Sequence, residues 1–311
     1  MIKLSYKKFG IDISKWQGSF DLAAAKKSDS IEFVIIKAGG GDDGLYKDSK
    51  FATNYKNAVS AGLYKGAYFF GNATTTDAAV EEAEYFASLL DGKKFELPVY
   101  YDVESSDMLA LTKAKLTKVV KSFCDKMEDL GYYVGIYMSK SYFSSQVNDS
   151  QLSDYAHWVA QWATECSYSG DYGMWQFGGE TNKIRSNEIN GTVVDMDYML
   201  IDYPSVILEK GFNGYEAGST FESVDEETET TTTTKTSSTS TTNYAAGTKL
   251  TLKKVSLYAS STSSKVANTI SGTYYIWDST VKNKRIRITN AKSKVGVSGE
   301  VTGWIKTSAI S

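Results

Sequence analysis

The segment LPVYYDVE (97–104) ends in two carboxylates two residues apart, Asp102 and Glu104. On a strand, alternate side chains share a face, and the two Cα atoms would stand about 6.5–7 Å apart. Side chains leaning together then approach the roughly 5 Å separation that retaining glycosidases use. Two like charges that close raise one pKa, so one carboxyl can keep its proton near neutral pH and act as a general acid. Taken alone, the pair reads equally as two ordinary acids on a solvent-facing strand edge. Asp12 in FGIDIS (9–14) and Asp195 in TVVDMD (192–197) weigh against that reading, because they too sit where apolar runs end. The spacing of Asp195 and Asp197 also admits a weak calcium site.

Other chemistries are scarce. The chain has a single histidine, His157, and 2 cysteines, Cys124 and Cys166, so a zinc site of several His and Cys ligands cannot be assembled, nor can a pair of catalytic histidines. A Cys nucleophile with His157 is formally possible, but Cys124 lies on the apolar face of a helical pattern, VVKSFCDKM, and neither cysteine has a supporting motif. Residues 39–44, GGGDDG, match G-x-G-x-x-G after a strand. Asp42 and Asp43 would repel a pyrophosphate and no helix opens at the third glycine, so the stretch reads as a flexible loop.

The elements that must position these acids follow from hydrophobic periodicity. Apolar runs of strand length occur at 9–14, 32–38, 65–70, 97–104, 132–138, 157–162, 173–177 and 192–197, and helical patterns at 49–62, 77–92 and 112–131 separate some of them. Eight strands with intervening helices predict repeated βα units, a parallel sheet and an α/β fold. The later strands follow one another too closely for full helices, so the expectation is an incomplete (β/α) TIM-like barrel with about five helices. Function in such barrels sits at the C-terminal strand ends. Here those ends are Asp12, Phe70, Asp102 with Glu104, Tyr137, Gln161 with Trp162, Trp175 with Gln176, and Asp195 with Asp197. Carboxylates among aromatic faces suit the binding of a sugar ring and cleavage of its glycosidic bond.

With 41% hydrophobic and 23% charged residues over 311 positions, the chain is not disordered as a whole and is long enough for one large and one small domain. No run approaches the ~18–20 apolar residues of a membrane span. The start, MIKLSYKKFG, lacks the apolar stretch of a signal peptide, so synthesis in the cytoplasm is expected. The seam is a tract at 228–242 in which 13 of 15 residues are Thr or Ser, after the acidic run DEETE. That composition cannot pack a core and reads as a disordered linker. Residues 245–311 carry 11 Lys or Arg against 2 acids, net +9, which leaves −12 for residues 1–244. A basic module tethered to an acidic one suits a polyanion, either nucleic acid or an anionic cell-surface polymer, or is simply a solvated lysine-rich surface.

These residues resemble the glycoside hydrolase family 25 lysozymes, which cleave peptidoglycan between N-acetylmuramic acid and N-acetylglucosamine. FGIDISKWQG, FVIIKAGGG, AGLYKGAYFF, LPVYYDVE, YVGIYMS, WVAQW, MWQF and VDMDY occur in the family's order. The resemblance implies Glu104 as general acid/base, Asp102 as the group that orients and polarises the substrate N-acetyl group, and Asp12 and Asp195 as the rest of an acidic floor. Tyr68, Tyr137, Trp162, Trp175, Gln176 and Asp197 would line the sugar sites. It implies no metal and no cofactor. The chain departs from the pattern at Phe69, where a histidine often follows the tyrosine, and at Asp197, where asparagine is common. Residues 245–311 resemble, more weakly, a bacterial SH3-like wall-binding domain, in ISGTYYIWD, KRIRITN and VTGWIKTSAI, with Tyr274, Tyr275, Trp277 and Trp304 serving mostly as core.

The expectation is therefore a monomeric muramidase over 1–215, a linker over 216–244 and a wall-binding module over 245–311. Its partners would be peptidoglycan and anionic wall polymers, without nucleic acid or membrane insertion. It would act as a phage or prophage lysin released through another protein's membrane lesion. The alternatives are a chitinase-like retaining glycosidase and a non-catalytic wall-carbohydrate-binding protein.

Overall fold

A computed structural model describes residues 6–179, 188–221, 245–258, 261, 268–282, 284–295, 297 and 301–310. The Thr/Ser tract at 228–242 lies outside them. The chain separates into two compact units, 1–226 and 227–311.

In the first unit the elements run β1 (Lys8–Ile13), α1 (Leu22–Asp29), β2 (Phe33–Gly40), β3 (Tyr46–Lys47), α2 (Phe51–Ser60), β4 (Tyr64–Phe70), α3 (Thr76–Leu90), β5 (Val99–Asp102), α4 (Ser106–Leu109) and α5 (Lys113–Asp129). They continue as β6 (Val134–Ser139), α6 (Lys140–Ser145), β7 (Ala156–Ala160), β8 (Met174–Gly178), β9 (Glu188–Ile189), β10 (Thr192–Val193), β11 (Asp195–Met199) and α7 (Tyr203–Lys210). Eight strands close on themselves in the order β1-β11-β8-β7-β6-β5-β4-β2, with β2 returning to β1 and the short β3 added beside β2.

The expected barrel is present as a closed sheet with helices outside it, but it is not wholly parallel. β11 runs antiparallel to both β1 and β8, with Asp195 opposite Asp12 and Asp197 opposite Gln176. The acids of β11 therefore come at the start of their strand. They reach the same rim as the other strands' ends only because β11 is reversed. The expected helices at 49–62, 77–92 and 112–131 are α2, α3 and α5, while α1, α4, α6 and α7 are additional.

Alternation sorts the barrel into two layers. Inward side chains form one cluster of Phe33, Ile35, Leu97, Tyr100, Trp158, Met174 and Met199, closed from below by Tyr203 and Ile207 of α7. Outward side chains pack beneath the helices, where α5 presents Leu116, Val120, Phe123 and Met127 at helical spacing. Tyr101 of β5 stacks on Phe123 with centroids 3.7 Å apart. α3 opens on Thr75, whose side chain accepts from the Ala78 N–H, satisfying one of the free donors of the first turn. Gly39, expected in a flexible loop, is instead where the Tyr46 carbonyl of β3 approaches too closely for a Cβ, and at Gly41 a Cβ would force the Glu82 carboxyl to move.

The second unit is a four-stranded antiparallel sheet, β12 (Lys249–Leu257), β13 (Asn268–Lys282), β14 (Arg285–Thr289) and β15 (Gly303–Lys306), paired in that order. Leu250, Leu252, Ile276, Ile286, Ile288 and Ile305 make its core. Reciprocal hydrogen bonds of 2.9 Å between Tyr258 and Trp304 tie the end of β12 to β15 and curl the sheet. Tyr274 packs against the core, whereas Trp277 and Trp304 are half-buried and flank the Arg287 guanidinium at 4.5 and 5.3 Å.

At the lower end of the barrel, Lys65 Nζ and Glu96 form a buried ion pair at 2.8 Å, and the Tyr215 hydroxyl also donates to Glu96. Removing one member strands the other charge away from water. Lys65→Met should therefore destabilise the first unit by about 3–5 kcal/mol. Lys65→Met combined with Glu96→Leu should recover most of that loss, and urea unfolding of the two variants checks it.

Candidate active site

The upper rim gathers side chains from every strand of the barrel. Successive pairings carry the inward face around it: Phe70 beside Asp102, Asp102 beside Tyr137, and Tyr137 beside Trp158. The ring then closes through Gln176 opposite Asp197 and Asp195 opposite Asp12. Period-two alternation on β5 points Tyr100 and Asp102 inward and Tyr101 outward, and Glu104 follows just past the strand end.

Gln176 is the hub of the polar network. Its amide donates to Asp12 Oδ2 at 2.8 Å, while its carbonyl oxygen accepts from the Tyr137 hydroxyl at 3.0 Å and from Trp162 Nε1 at 3.1 Å. Trp158 Nε1 donates to Asp197 Oδ1 at 2.8 Å. Tyr137 and Tyr68 meet the Trp158 ring edge to face, with centroids 4.5 and 6.0 Å away. Burial holds both phenols well above their usual pKa.

The acids fall into two groups. In the first, burial and the neighbouring Glu104 charge push Asp102 well above the usual carboxylate range, opposed by the Lys37 ammonium. Glu104 stands at the rim open to solvent, yet protein atoms crowd its carboxyl and raise it as well, again opposed by Lys37. Such a pair titrates as a unit and holds one proton above the pH at which an isolated carboxylate loses it. Asp102 Oδ1 is buried with no hydrogen-bond partner, a polar atom aimed into the site.

In the second group, burial and then the Asp12 charge raise Asp197, against the Trp158 N–H. Asp12 is raised by burial and Asp195, against hydrogen bonds from Gln176 and Asp197. Asp197 is 0% exposed and its Oδ2 has no hydrogen-bond partner, while the nearby Asp12 carboxyl adds to the rise in its pKa. A raised pKa favours the protonated form of Asp197, whose hydroxyl can donate where a carboxylate can only accept. Among the described residues no group of three or more His, Cys, Asp or Glu side chains is arranged to hold a metal ion.

Glu104, Asp102, Asp12, Asp195, Asp197, Tyr68, Tyr137, Trp162 and Gln176 thus share one rim. Trp175 does not join them. It neighbours Gln176 on β8 and so faces the opposite way, into the outer layer against Phe177 and Tyr198, with its Nε1 donating to the Gln161 carbonyl at 2.8 Å. The expectation of a sugar contact there is corrected by strand alternation. Phe69 likewise faces outward, against Phe86 and Phe123, so the departure at that position does not reach the site. Trp158 and Lys37 were not among the expected site residues. Trp158 lies in the inner cluster, and Lys37 falls in step with the inward Phe33 and Ile35 between the outward Ile36 and Ala38, but only the closed barrel shows that the inner face is polar at that height.

The Asp197 proton has a measurable consequence. Its folded pKa lies above the unfolded value of about 3.9, so the folded state binds the proton more tightly and loses stability as pH rises from there to the folded pKa. Asparagine reproduces the protonated form, donating to Asp12 and accepting from Trp158. Asp197→Asn should melt at nearly the wild-type temperature at pH 4 and above it at pH 8, a gap that thermal melts across that range would show.

With the geometry in place, the sequence model of Glycosyl hydrolases family 25 matches residues 11–185. Lysozyme M1 of Streptomyces globisporus is 28% identical over 205 residues, covering 59% of this chain and 68% of that protein. The autolytic lysozyme of Clostridium acetobutylicum is 31% identical over 167 residues, covering 52% of this chain and 48% of its own. Among solved structures, the modular autolysin LytC from Streptococcus pneumoniae superposes with a TM-score of 0.54 at 22% identity, over 62% of this chain and 46% of that one. The match therefore spans about half the length of the clostridial and pneumococcal proteins. The chain belongs to family 25 of the glycosyl hydrolases and is a glycoside hydrolase of the lysozyme kind.

Proposed function

We propose that the barrel hydrolyses the β-1,4 bond between N-acetylmuramic acid and N-acetylglucosamine in peptidoglycan, with net retention at the anomeric carbon. The observation that carries this reading is the Asp102–Glu104 pair: one acid buried with an unpartnered oxygen, the other at the open rim, both raised in pKa. Glu104 gives its proton to the glycosidic oxygen as the bond to C1 breaks. The substrate's own acetamido oxygen closes on C1, and the Asp102 carboxylate stabilises the positive charge that develops at the acetamido nitrogen. Glu104, now ionised, takes a proton from water as that water opens the ring at C1, so two inversions leave the original configuration. Asp12, Gln176 and Tyr137 would hold the sugar's hydroxyls beside it, with Trp162, 41% exposed, as an aromatic face.

The second half of the proposal is modular. Residues 1–221 would be the enzyme, since 216–221 pack back on the barrel through the Gly218 hydrogen bond to Leu208 and the Phe221 ring on Tyr64. The remainder to 244 would be the linker and 245–311 an SH3-like module that keeps the enzyme at the wall through its positive charge. The curled four-stranded sheet and the net +9 of 245–311 support it. The enzyme would act outside the membrane, and its phage or prophage origin belongs to the same proposal. Among the described residues no helix is long and apolar enough to cross a membrane.

Glu104→Gln should lower turnover of purified cell walls by about 10²- to 10⁴-fold without changing the melting temperature, because the amide keeps the shape and loses the proton. Mass spectrometry of the wild-type digest should show muramic acid at the new reducing ends. Glucosamine there would point to another glycosidase, and a variant that keeps its activity moves the acid to a different residue. Trypsin should cut first at Lys235 within 228–242 and release two folded pieces, the smaller of which binds walls without hydrolysing them. Initial cuts inside 1–210 would place the boundary elsewhere.

A further inference from the structure

Trp16 is the most exposed large apolar side chain among the described residues, at 79%. It is nonetheless rigidly mounted. Ser14 Oγ accepts from the Trp16 N–H at 3.2 Å, and Gln17 Oε1 accepts from the Ser14 N–H at 2.8 Å. The buried Asp48 carboxylate accepts from the Lys15 N–H at 3.0 Å and from the Lys50 N–H at 2.8 Å, anchoring this turn to the segment after β3. The Lys15 ammonium lies 5.0 Å from the centre of the indole and steadies one of its faces. A tryptophan displayed to water on a fixed pedestal has already lost the backbone freedom that binding would otherwise remove.

Its place is continuous with the site. Trp16 follows Asp12 by four residues, which puts it within about 14 Å along the chain. Lys15 Nζ is 5.9 Å from the Tyr46 ring, Lys37 Nζ is 5.9 Å from the same ring and 4.7 Å from Phe70, and Phe70 pairs in register with Asp102. A row of rings and ammonium groups thus leads from the catalytic pair out to Trp16. The flat indole suits the apolar face of a pyranose, and the lysines along the row suit a glycan whose peptide stems are anionic.

We propose that Trp16 is the platform of an outer sugar position, stacking on an N-acetylhexosamine of the glycan strand beyond the two sugars that flank the scissile bond. This rests on the glycan-hydrolase reading of the barrel. It makes the enzyme one that senses chain length, with long strands held at both the acidic rim and the Trp16 turn.

The test uses the full chain with Glu104→Gln, titrated calorimetrically with a disaccharide and a hexasaccharide prepared from peptidoglycan. The hexasaccharide should bind more tightly. Adding Trp16→Ala should remove most of that advantage, a loss on the order of tenfold, while leaving the disaccharide affinity in place. Trp16→Phe should keep part of it. No advantage for the hexasaccharide, an advantage that survives Trp16→Ala, or an equal loss for both sugars would each overturn the platform. Wild-type digestion of walls, run alongside, separates the two readings. A chain that does not cleave walls but shows the length-dependent loss keeps the platform and fails as a muramidase, and the reverse pattern keeps the enzyme without the platform.

Discussion

Asp12, Asp102 and Asp197 are withdrawn from water in the upper barrel, with Asp195 and Glu104 beside them. An ionised carboxylate out of water costs several kcal/mol unless it is paired or hydrogen-bonded, and like charges at close range add to that. The barrel cannot hold all of these acids ionised at once. Burial and like charge raise Asp12, Asp102 and Asp197 together, and part of the cost is offset by neutral donors from Gln176 and Trp158 and by the Lys37 ammonium near Asp102 and Glu104. The same crowding that burdens the fold raises the pKa of the rim carboxyls, Asp102 and Glu104 among them.

The scaffold separates that burden from the elements that provide stability. Outward side chains of the strands pack beneath α2, α3 and α5 in a largely apolar layer, and the lower end is closed by α7 and by the Lys65–Glu96 pair. Asn213, after α7, bonds the Leu97 carbonyl and the Tyr133 N–H at 2.8 Å each, sealing the bottom with polar contacts that are fully used. Two of the unpartnered buried polar atoms of the barrel, Asp102 Oδ1 and Asp197 Oδ2, belong to the rim, and a third, the Tyr100 hydroxyl, lies in the inner layer.

The two units differ in the same physical terms. The barrel places acids where sugar chemistry can use them, while the small sheet carries the cations, with Arg287 held between Trp277 and Trp304 and paired to Asp278.

Much of the site was legible in the sequence. The run LPVYYDVE announced both a strand and its paired acids, because alternation and burial act within a few residues. The order of apolar runs was enough for a barrel, and the spacing of α2, α3 and α5 came from periodicity alone. Three matters were decided only by tertiary structure. The reversal of β11 is set by which edges remain to be paired when the barrel closes, and no local pattern encodes strand direction. Trp175 and Gln176 are adjacent and equally suited to a sugar, and only the register of β8 in the closed sheet turned one to the site and the other to the outer core. The raised pKa of Asp197 depends on Asp12, 185 positions away in the chain, and on the removal of water from both. Residue type and short-range spacing determine which groups can do chemistry; strand direction, facing and protonation follow from long-range closure, because that is what sets distance and solvent.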